Sequence, residues 1–235
     1  MLPKGILFDL DDTIIAYSEI SVPIWRQVCE EYSLKADALE ADLLYNTIRE
    51  ISNWYWSDDE RHRIGRNDLN KARRQILELV FNKLDVGDYQ LAWDIADAFS
   101  KRREENLYLF EGARKTLEYL NKKNIPLAMM TNGETEKQRD KIERFDLNKY
   151  FKIILIEEEQ GFGKPDKRVY QKAMDGLGLN PKDVWAIGDN LEWDVGGPQK
   201  HGMFGIWNDY RKKGLPRDSK VIPDRIINSI LELVE

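Results

Sequence analysis

The sequence predicts an α/β protein: a Rossmann-like parallel sheet core, with an inserted α-helical bundle after its first strand. Three observations carry this. The apolar run Gly5-Ile6-Leu7-Phe8 stops at Asp9, as a buried parallel strand with a polar carboxyl end does. From Ser18 to about Asn106, apolar residues recur at helical spacing with no strand between them. From Ala113 onward, helices and strands alternate, which implies a parallel sheet covered on both faces.

Within the helical stretch, Val22, Trp25, Val28 and Tyr32 form one stripe, and Leu44, Ile48, Ile51 and Tyr55 another. Leu69, Ala72, Ile76, Val80 and Leu84 form the clearest, with Asp68 placed to cap its start and Gly87 just past its end. Leu91, Ile95, Ala98 and Phe99 close the series, so the stretch reads as about four helices. Then come a helix over 113–121, a strand over 125–130, a helix over 135–145 and a strand over 151–156. A helix over 167–177 follows, then a strand over 184–187, a short helix over 191–201 and a strand over 204–207. A last helix is expected over 224–234. The expected domains are a core of residues 1–15 and 107–235 and a helical cap of residues 16–106.

The bulk numbers exclude several classes. With 42% hydrophobic and 33% charged residues, the chain fits an ordinary soluble globule. Its net charge of -6, with basic and acidic residues interspersed, gives no support to nucleic-acid or membrane partners. No apolar run approaches a membrane span. Cys29 is the one cysteine, so no intramolecular disulfide forms; a cytoplasmic setting and a small buried hydrophobe are the expectations. A monomer or homodimer is expected.

Ligands of such sheets bind outside the carboxyl ends of the strands. Those ends read Asp9-Leu10-Asp11-Asp12-Thr13, Thr131-Asn132-Gly133, Gly163-Lys164-Pro165-Asp166 and Gly188-Asp189-Asn190, with Asp194 shortly beyond. Clustered carboxylates repel unless a cation or proton separates them. Magnesium resolves the conflict, since it takes hard oxygen ligands: Asp9, Asp189 and the backbone carbonyl of Asp11. Thr131, Asn132 and backbone amides near Asp11 and Gly133 are donors for phosphate oxygens, and Lys164 adds positive charge. Phosphoryl transfer relies on positioning and charge stabilisation of this kind. No Ser-His or Cys-His pair is evident, which leaves a carboxylate nucleophile. Asp9 would attack phosphorus, and Asp11 would serve as general acid and then base.

The motifs Asp9-x-Asp11-x-Thr13, Thr131-Asn132-Gly133, Lys164-Pro165 and Gly188-Asp189-x-x-x-x-Asp194 together resemble those of the haloacid dehalogenase superfamily. The resemblance covers nearly the whole chain and, within the superfamily, lies closest to N-acylneuraminate-9-phosphatase-like and nucleotidase-like members. It implies a magnesium-dependent phosphatase of a small phosphorylated substrate, a sugar phosphate or nucleotide. Asp9 would be nucleophile and metal ligand, Asp11 acid/base, Thr131 and Lys164 phosphoryl-binding, and Asp189 a metal ligand. Asp194 would orient Lys164 or a metal-bound water, with Thr13 supporting the first motif. It also implies a cap that closes over the site. Asp12 stands where many members have glycine, and the dehalogenases proper lack the acid at the position of Asp11.

The cap carries Trp54-Tyr55-Trp56 and Arg61-His62-Arg63-Ile64-Gly65-Arg66, aromatic and cationic groups suited to a negatively charged sugar or base. Arg66 and His62 are its substrate-binding candidates; His201, beside Gly202, reads as structural. Two alternatives stay open on sequence. A phosphosugar mutase uses the same aspartates. A receiver-like phospho-aspartate signalling protein shares the early acids, although this chain is longer and has a cap-sized insert.

Overall fold

The computed structural model describes residues 2–35 and 39–234, so positions 36–38 of the expected cap and the chain ends lie outside the described residues. It has two compact units: Met1–Ala16 with Tyr108–Glu235, and Tyr17–Leu107.

The first strand, β1 (Gly5–Phe8), is buried along its whole length. The chain then turns tightly. Ile14 and Ile15 donate to the Leu10 carbonyl at 2.9 and 3.0 Å, and the Asp12 amide donates to Ile15 at 2.7 Å. Asp12 takes a left-handed φ of 61°, a conformation that Asp tolerates better than most residues. The turn leads into β2 (Ile15–Ala16).

The helical unit contains five described helices. The first, α1 (Ser21–Ser33), buries Ile24, Val28 and Cys29. Val22, expected inside, is 52% exposed: the buried stripe runs one helical row over, through Ile24. Burial pushes the Cys29 thiol up to about 12, so it behaves as a small apolar group. In α2 (Ala41–Trp56), Leu44, Tyr45, Ile48 and Tyr55 face inward. The short α3 (Asp59–Gly65) divides the expected four helices into five. Asp58 caps it by accepting from the Arg61 amide, a signal hidden in a charged run. Asp68 caps α4 (Leu69–Lys83) through the Lys71 amide, and Asp88 caps α5 (Tyr89–Glu105) through that of Leu91. Trp25 of α1 stacks on Phe99 of α5 with ring centroids 3.8 Å apart.

After Leu107 the chain forms β3 (Tyr108–Leu109), which pairs antiparallel with β2. Next come α6 (Ala113–Lys122), β4 (Leu127–Thr131), α7 (Thr135–Arg144) and β5 (Ile153–Ile156). Then follow α8 (Glu157–Gln160), α9 (Lys167–Leu177) and β6 (Val184–Gly188). A wide helical turn over Leu191–Gly196 runs into α10 (Gly197–Gln199), β7 (Phe204–Asn208) and β8 (Arg225–Ile227). The sheet order is β5-β4-β1-β6-β7-β8, and every pairing is parallel.

The expected last helix is not formed. Residues 225–227 pair with β7, because β-branched Ile226 and Ile227 suit a strand and Asp224 pins its start through the Gly205 amide at 2.7 Å. Ser229 and Glu232 then form a capping box over the one-turn Ile230–Leu233, too short a remainder for an α-helix.

Alternation along the strands fills both faces. Leu7, Ala128, Met130 and Leu155 pack on Val169, Tyr170, Ala173, Met174 and Leu177 of α9. On the other face Ile6, Phe8, Leu127 and Met129 are equally buried. The connections run outward from β1 toward β5 and from β6 toward β8, so the strand order reverses between β1 and β6. That reversal opens a crevice at their carboxyl ends.

Leu7 lies at the centre of this core, 2% exposed. Leu7→Ala is expected to lower unfolding stability by about 2–5 kcal/mol through lost burial and a residual cavity. Urea unfolding of the two proteins measures it.

Candidate active site

The crevice at the ends of β1 and β6 gathers acids around one lysine. Asp9 continues β1, its amide bonded to the Ile187 carbonyl at 2.9 Å. Its Oδ2 accepts from Thr13 Oγ1 at 3.0 Å, and its Oδ1 meets Lys164 Nζ at 2.6 Å. The same ammonium bonds Asp194 Oδ1 at 2.7 Å. Carboxylate oxygens of Asp9, Asp189 and Asp194 lie within 4.8 Å of one another.

Each member has a structural reason to be there. The wide turn after β6 puts Asp194 back over the strand end, its Oδ2 accepting from the Asn190 amide at 3.0 Å. A side chain on Gly188 would place its Cβ 2.3 Å from Asp194 Cγ, so only glycine lets the turn close this tightly. Trp207 of β7 donates to the Asp189 carbonyl at 2.8 Å, and Tyr170 of α9 to that of Trp193 at 2.7 Å. Asn208 Nδ2 reaches the Asp12 carbonyl at 3.3 Å, tying the first turn to β7.

Electrostatically the site is strained. Burial pushes Asp9 up to about 7 despite the adjacent Lys164, with Asp194 and Asp11 adding repulsion. Asp189 is raised well above the usual carboxylate range, first by burial and then by Asp9, Asp194 and Asp12. Burial alone would lower Lys164, but Asp194 and Asp9 outweigh it and hold the ammonium above its ordinary range. One lysine does not neutralise three acids. The donor set is all carboxylate oxygen, the chemistry of a hard divalent cation. Asp9, Asp189 and Asp194 therefore fit such an ion. Asp194 joins the acids by its carboxylate, whereas Asp11 was expected to contribute its backbone carbonyl.

The Asp11 carboxylate turns elsewhere. Both its oxygens bond Lys141 Nζ, at 2.9 and 2.8 Å, and Oδ2 also accepts from Gln138 Nε2 at 3.0 Å. Gln138 donates as well to Thr131 Oγ1 at 2.9 Å and to the Asn132 carbonyl at 2.6 Å. Sequence reasoning missed both α7 residues. The available signal was negative: α7 has no apolar stripe, and its buried residues are Gln138, Lys141 and Ile142. Gln138 and Lys141 lie on the side of α7 that meets Asp11.

Asn132, expected among the phosphate donors, clamps the Lys164 backbone instead. Its Nδ2 donates to the Lys164 carbonyl and its Oδ1 accepts from the Lys164 amide, both at 2.8 Å. The Lys164-Pro165 peptide is cis. The Gly133 amide, expected to face phosphate, donates to Glu157 Oε2 at 3.1 Å.

Asp9, Asp11, Thr13, Thr131, Asn132, Lys164, Asp189 and Asp194 thus all meet within one unit. His62 and Arg66 belong to the helical unit. His62 sits on α3 with its ring 5.5 Å from that of Trp56, and Arg66 closes that helix through its amide to the His62 carbonyl at 3.1 Å. The neighbouring aromatic and basic residues pack on themselves: Arg61 lies 4.0 Å over the Trp54 ring, and Arg63 pairs with Glu60.

The site is thus a parallel α/β sheet whose first strand ends in paired acids, with Lys164 bridging Asp9 to Asp194. Consistent with this, residues 3–202 match the model of the haloacid dehalogenase-like hydrolases, and the chain belongs to that family. Among curated relatives, glyceraldehyde 3-phosphate phosphatase of Pyrococcus furiosus is 28% identical over 99% of this chain and 92% of its own. N-acylneuraminate-9-phosphatase of Mus musculus is 32% identical over 98% of this chain and 92% of its own. The crystal structure of YfnB, a HAD-hydrolase of Bacillus subtilis bound to magnesium, has the same fold. It superposes with a TM-score of 0.76 at 21% identity, covering 99% of this chain and 97% of that one. No described helix is long and apolar enough to cross a membrane.

The acid cluster has a measurable signature. The folded-state pKa of Asp9 lies above its unfolded value, so between pH 4 and 7 the folded chain binds more protons there than the unfolded chain. Its contribution is therefore most favourable below about pH 4 and is lost as pH rises through 7. In chelator-treated protein, the stability of Asp9→Asn relative to wild type is expected to improve steadily across that window. A saturating divalent cation should reverse the advantage by pairing with the ionised carboxylates of the wild type, and magnesium is the ion to try. Urea unfolding at a series of pH values, with and without magnesium, reads both effects.

Proposed function

We propose that this chain is a magnesium-dependent phosphomonoesterase of a small phosphorylated metabolite, with Asp9 as its nucleophile. The placement of Asp9 between Thr13 and Lys164, with Asp189 and Asp194 beside it, carries the reading. The relatives support it, since both are phosphatases of small phosphorylated compounds by name. The acid at Asp11, absent from the dehalogenases proper, suits a leaving group that needs a proton.

Thr13 and Lys164 fix the Asp9 carboxylate, so it need not reorganise on attack. Asp9 forms a bond to phosphorus while the ester oxygen departs with a proton from Asp11. Asp11 then takes a proton from water, which attacks the aspartyl-phosphate and releases inorganic phosphate. Lys141 and Gln138 hold the Asp11 carboxylate, so handing a proton to the leaving group requires it to part from Lys141. Thr131 and Lys164 bind the phosphoryl oxygens, and Asn132 keeps Lys164 in place through its backbone. Asp9, Asp189 and the Asp11 carbonyl would hold magnesium, with Asp194 close by, and the ion would supply the charge neutralisation that lets an anion approach an anion. Magnesium bound to a hydrolase of the same fold is in keeping with that choice of ion.

Residues 1–15 and 107–235 are the catalytic core in this reading, and 16–106 the cap that selects the leaving group. The insert leaves and re-enters the core through the paired β2 and β3, directly after Thr13. Arg66 and His62 are its substrate-reading residues. A phosphosugar mutase would use the same aspartates but return the phosphoryl group to the sugar.

Release of inorganic phosphate from a panel of phosphorylated metabolites tests the reading. Activity is expected to vanish with chelator and return with magnesium. Asp9→Asn should abolish turnover without unfolding the chain, and Asp11→Asn should trap labelled phosphate on Asp9. Label on any other residue, or phosphate transferred between sugar positions without release, would refute hydrolysis at Asp9. Arg66→Ala should lower kcat/KM for the preferred metabolite by about 10- to 150-fold, the worth of a charge-assisted contact, and spare a small aryl phosphate. Equal losses on both esters would remove Arg66 from leaving-group recognition.

A further inference from the structure

Arg73 of α4 and Arg103 of α5 are each only 6% exposed. Arginine cannot shed its charge, and a buried charge is costly unless it is paired. The two guanidinium groups share the same surroundings. Arg103 lies 3.9 Å over the ring of Tyr17 and Arg73 Nη2 reaches the Tyr17 hydroxyl at 3.4 Å; both lie within 6 Å of the Phe99 ring. Arg73 Nη1 donates to Ser100 Oγ at 2.8 Å and to Asn70 Oδ1 at 3.4 Å, which are neutral acceptors.

The edge of Arg103 carries the sharper anomaly. Its Nε and Nη2 are buried and have no hydrogen-bond acceptor among the described residues. Glu104 stands 3.8 Å from Nη2, beyond hydrogen-bond length. Nε and Nη2 form the fork that grips a planar oxyanion with two parallel bonds. Arg139 uses that same fork on Glu159, at 2.7 and 2.8 Å, in a more exposed place. So a partly exposed arginine has a carboxylate hydrogen-bonded on its fork, while the buried fork has one only at 3.8 Å and no hydrogen bond.

We propose that Arg103 and Arg73 form an oxyanion site within the helical unit, with Arg103 gripping a carboxylate or phosphate group of a small metabolite through Nε and Nη2. Arg73 supplies the second positive charge, and Tyr17 and Phe99 form its apolar floor. One anion would answer both the unmet fork and the repulsion between two neighbouring buried cations. The anion has two possible sources: a second acidic group on the substrate itself, or a separate small anion.

The site stands independently of the phosphatase reading; only the kinetic part of its test rests on that reading. Arginine Nε–H signals of the magnesium-loaded full chain are followed by NMR during titration with inorganic phosphate and, separately, acetate. The signal lost in Arg103→Gln, or in Arg103→Lys should the first variant fail to fold, belongs to Arg103. It is expected to move saturably with either anion. A signal that stays fixed, or drifts only as exposed arginines do, would overturn the site. Turnover of phosphoglycerate and of glycerol phosphate, which differ by one carboxylate, then identifies the source. A loss of about tenfold or more in kcat/KM for phosphoglycerate alone, in Arg103→Gln, assigns the group to the substrate. Equal behaviour of the two esters beside a saturable shift assigns a separate anion. No turnover of either ester would count against the phosphatase reading and leave the NMR result to decide the site.

Discussion

One ammonium group holds the end of β1 against the turn after β6. Lys164 Nζ bonds Asp9 on one side and Asp194 on the other, all three buried. Burial pushes Asp9 toward its neutral form there, and Lys164 opposes it. Removing one partner from such a buried pair costs about 3–5 kcal/mol, because the other charge is left uncompensated. The rest of the site is arranged around that contact. Asn132 grips the Lys164 backbone on both sides, Gly188 makes room for Asp194, and Thr13 holds the second oxygen of Asp9.

Charge is still not balanced once Lys164 is in place. Asp189 remains beside Asp9 and Asp194, so the cluster keeps an appetite for a cation. Asp11 adds to the repulsion on Asp9 but has partners of its own, Lys141 and Gln138, which fix its direction. Two carboxylates two residues apart therefore acquire different environments, Asp9 against Lys164 and Asp11 against Lys141.

The helical unit has the opposite imbalance. Arg73 and Arg103 are buried among aromatic rings and neutral acceptors, and part of the Arg103 edge is unsatisfied. Elsewhere in the same unit arginines are paired conventionally: Arg74 with Asp97, Arg63 with Glu60 and Arg102 with Glu31. The stability of the bundle comes from its apolar faces, including Leu44, Ile48, Ile76, Leu77, Val80 and Ile95. The buried arginines pack over Tyr17 and Phe99, but those rings do not meet the hydrogen-bonding need of the Arg103 edge.

By itself the sequence determined the α/β class, the insert after the first strand and the acids and lysine at the strand ends. Those features are encoded locally, in hydrophobic period and in short motifs where strands stop. It misread the last segment, where pairing of Ile226 and Ile227 with β7 overrode an apolar spacing compatible with a helix. It passed over α3, whose cap lies in a charged run, and it put Val22 on the wrong side of α1. Tertiary structure alone decided the pairings. That Lys141 and Gln138 belong to Asp11, that Asn132 serves the Lys164 backbone, and that Arg73 and Arg103 share Tyr17 and Phe99 depends on residues far apart in the chain. A buried Lys, Gln or Arg looks like a solvated one in a single sequence, because its partner is set by the packing of whole elements.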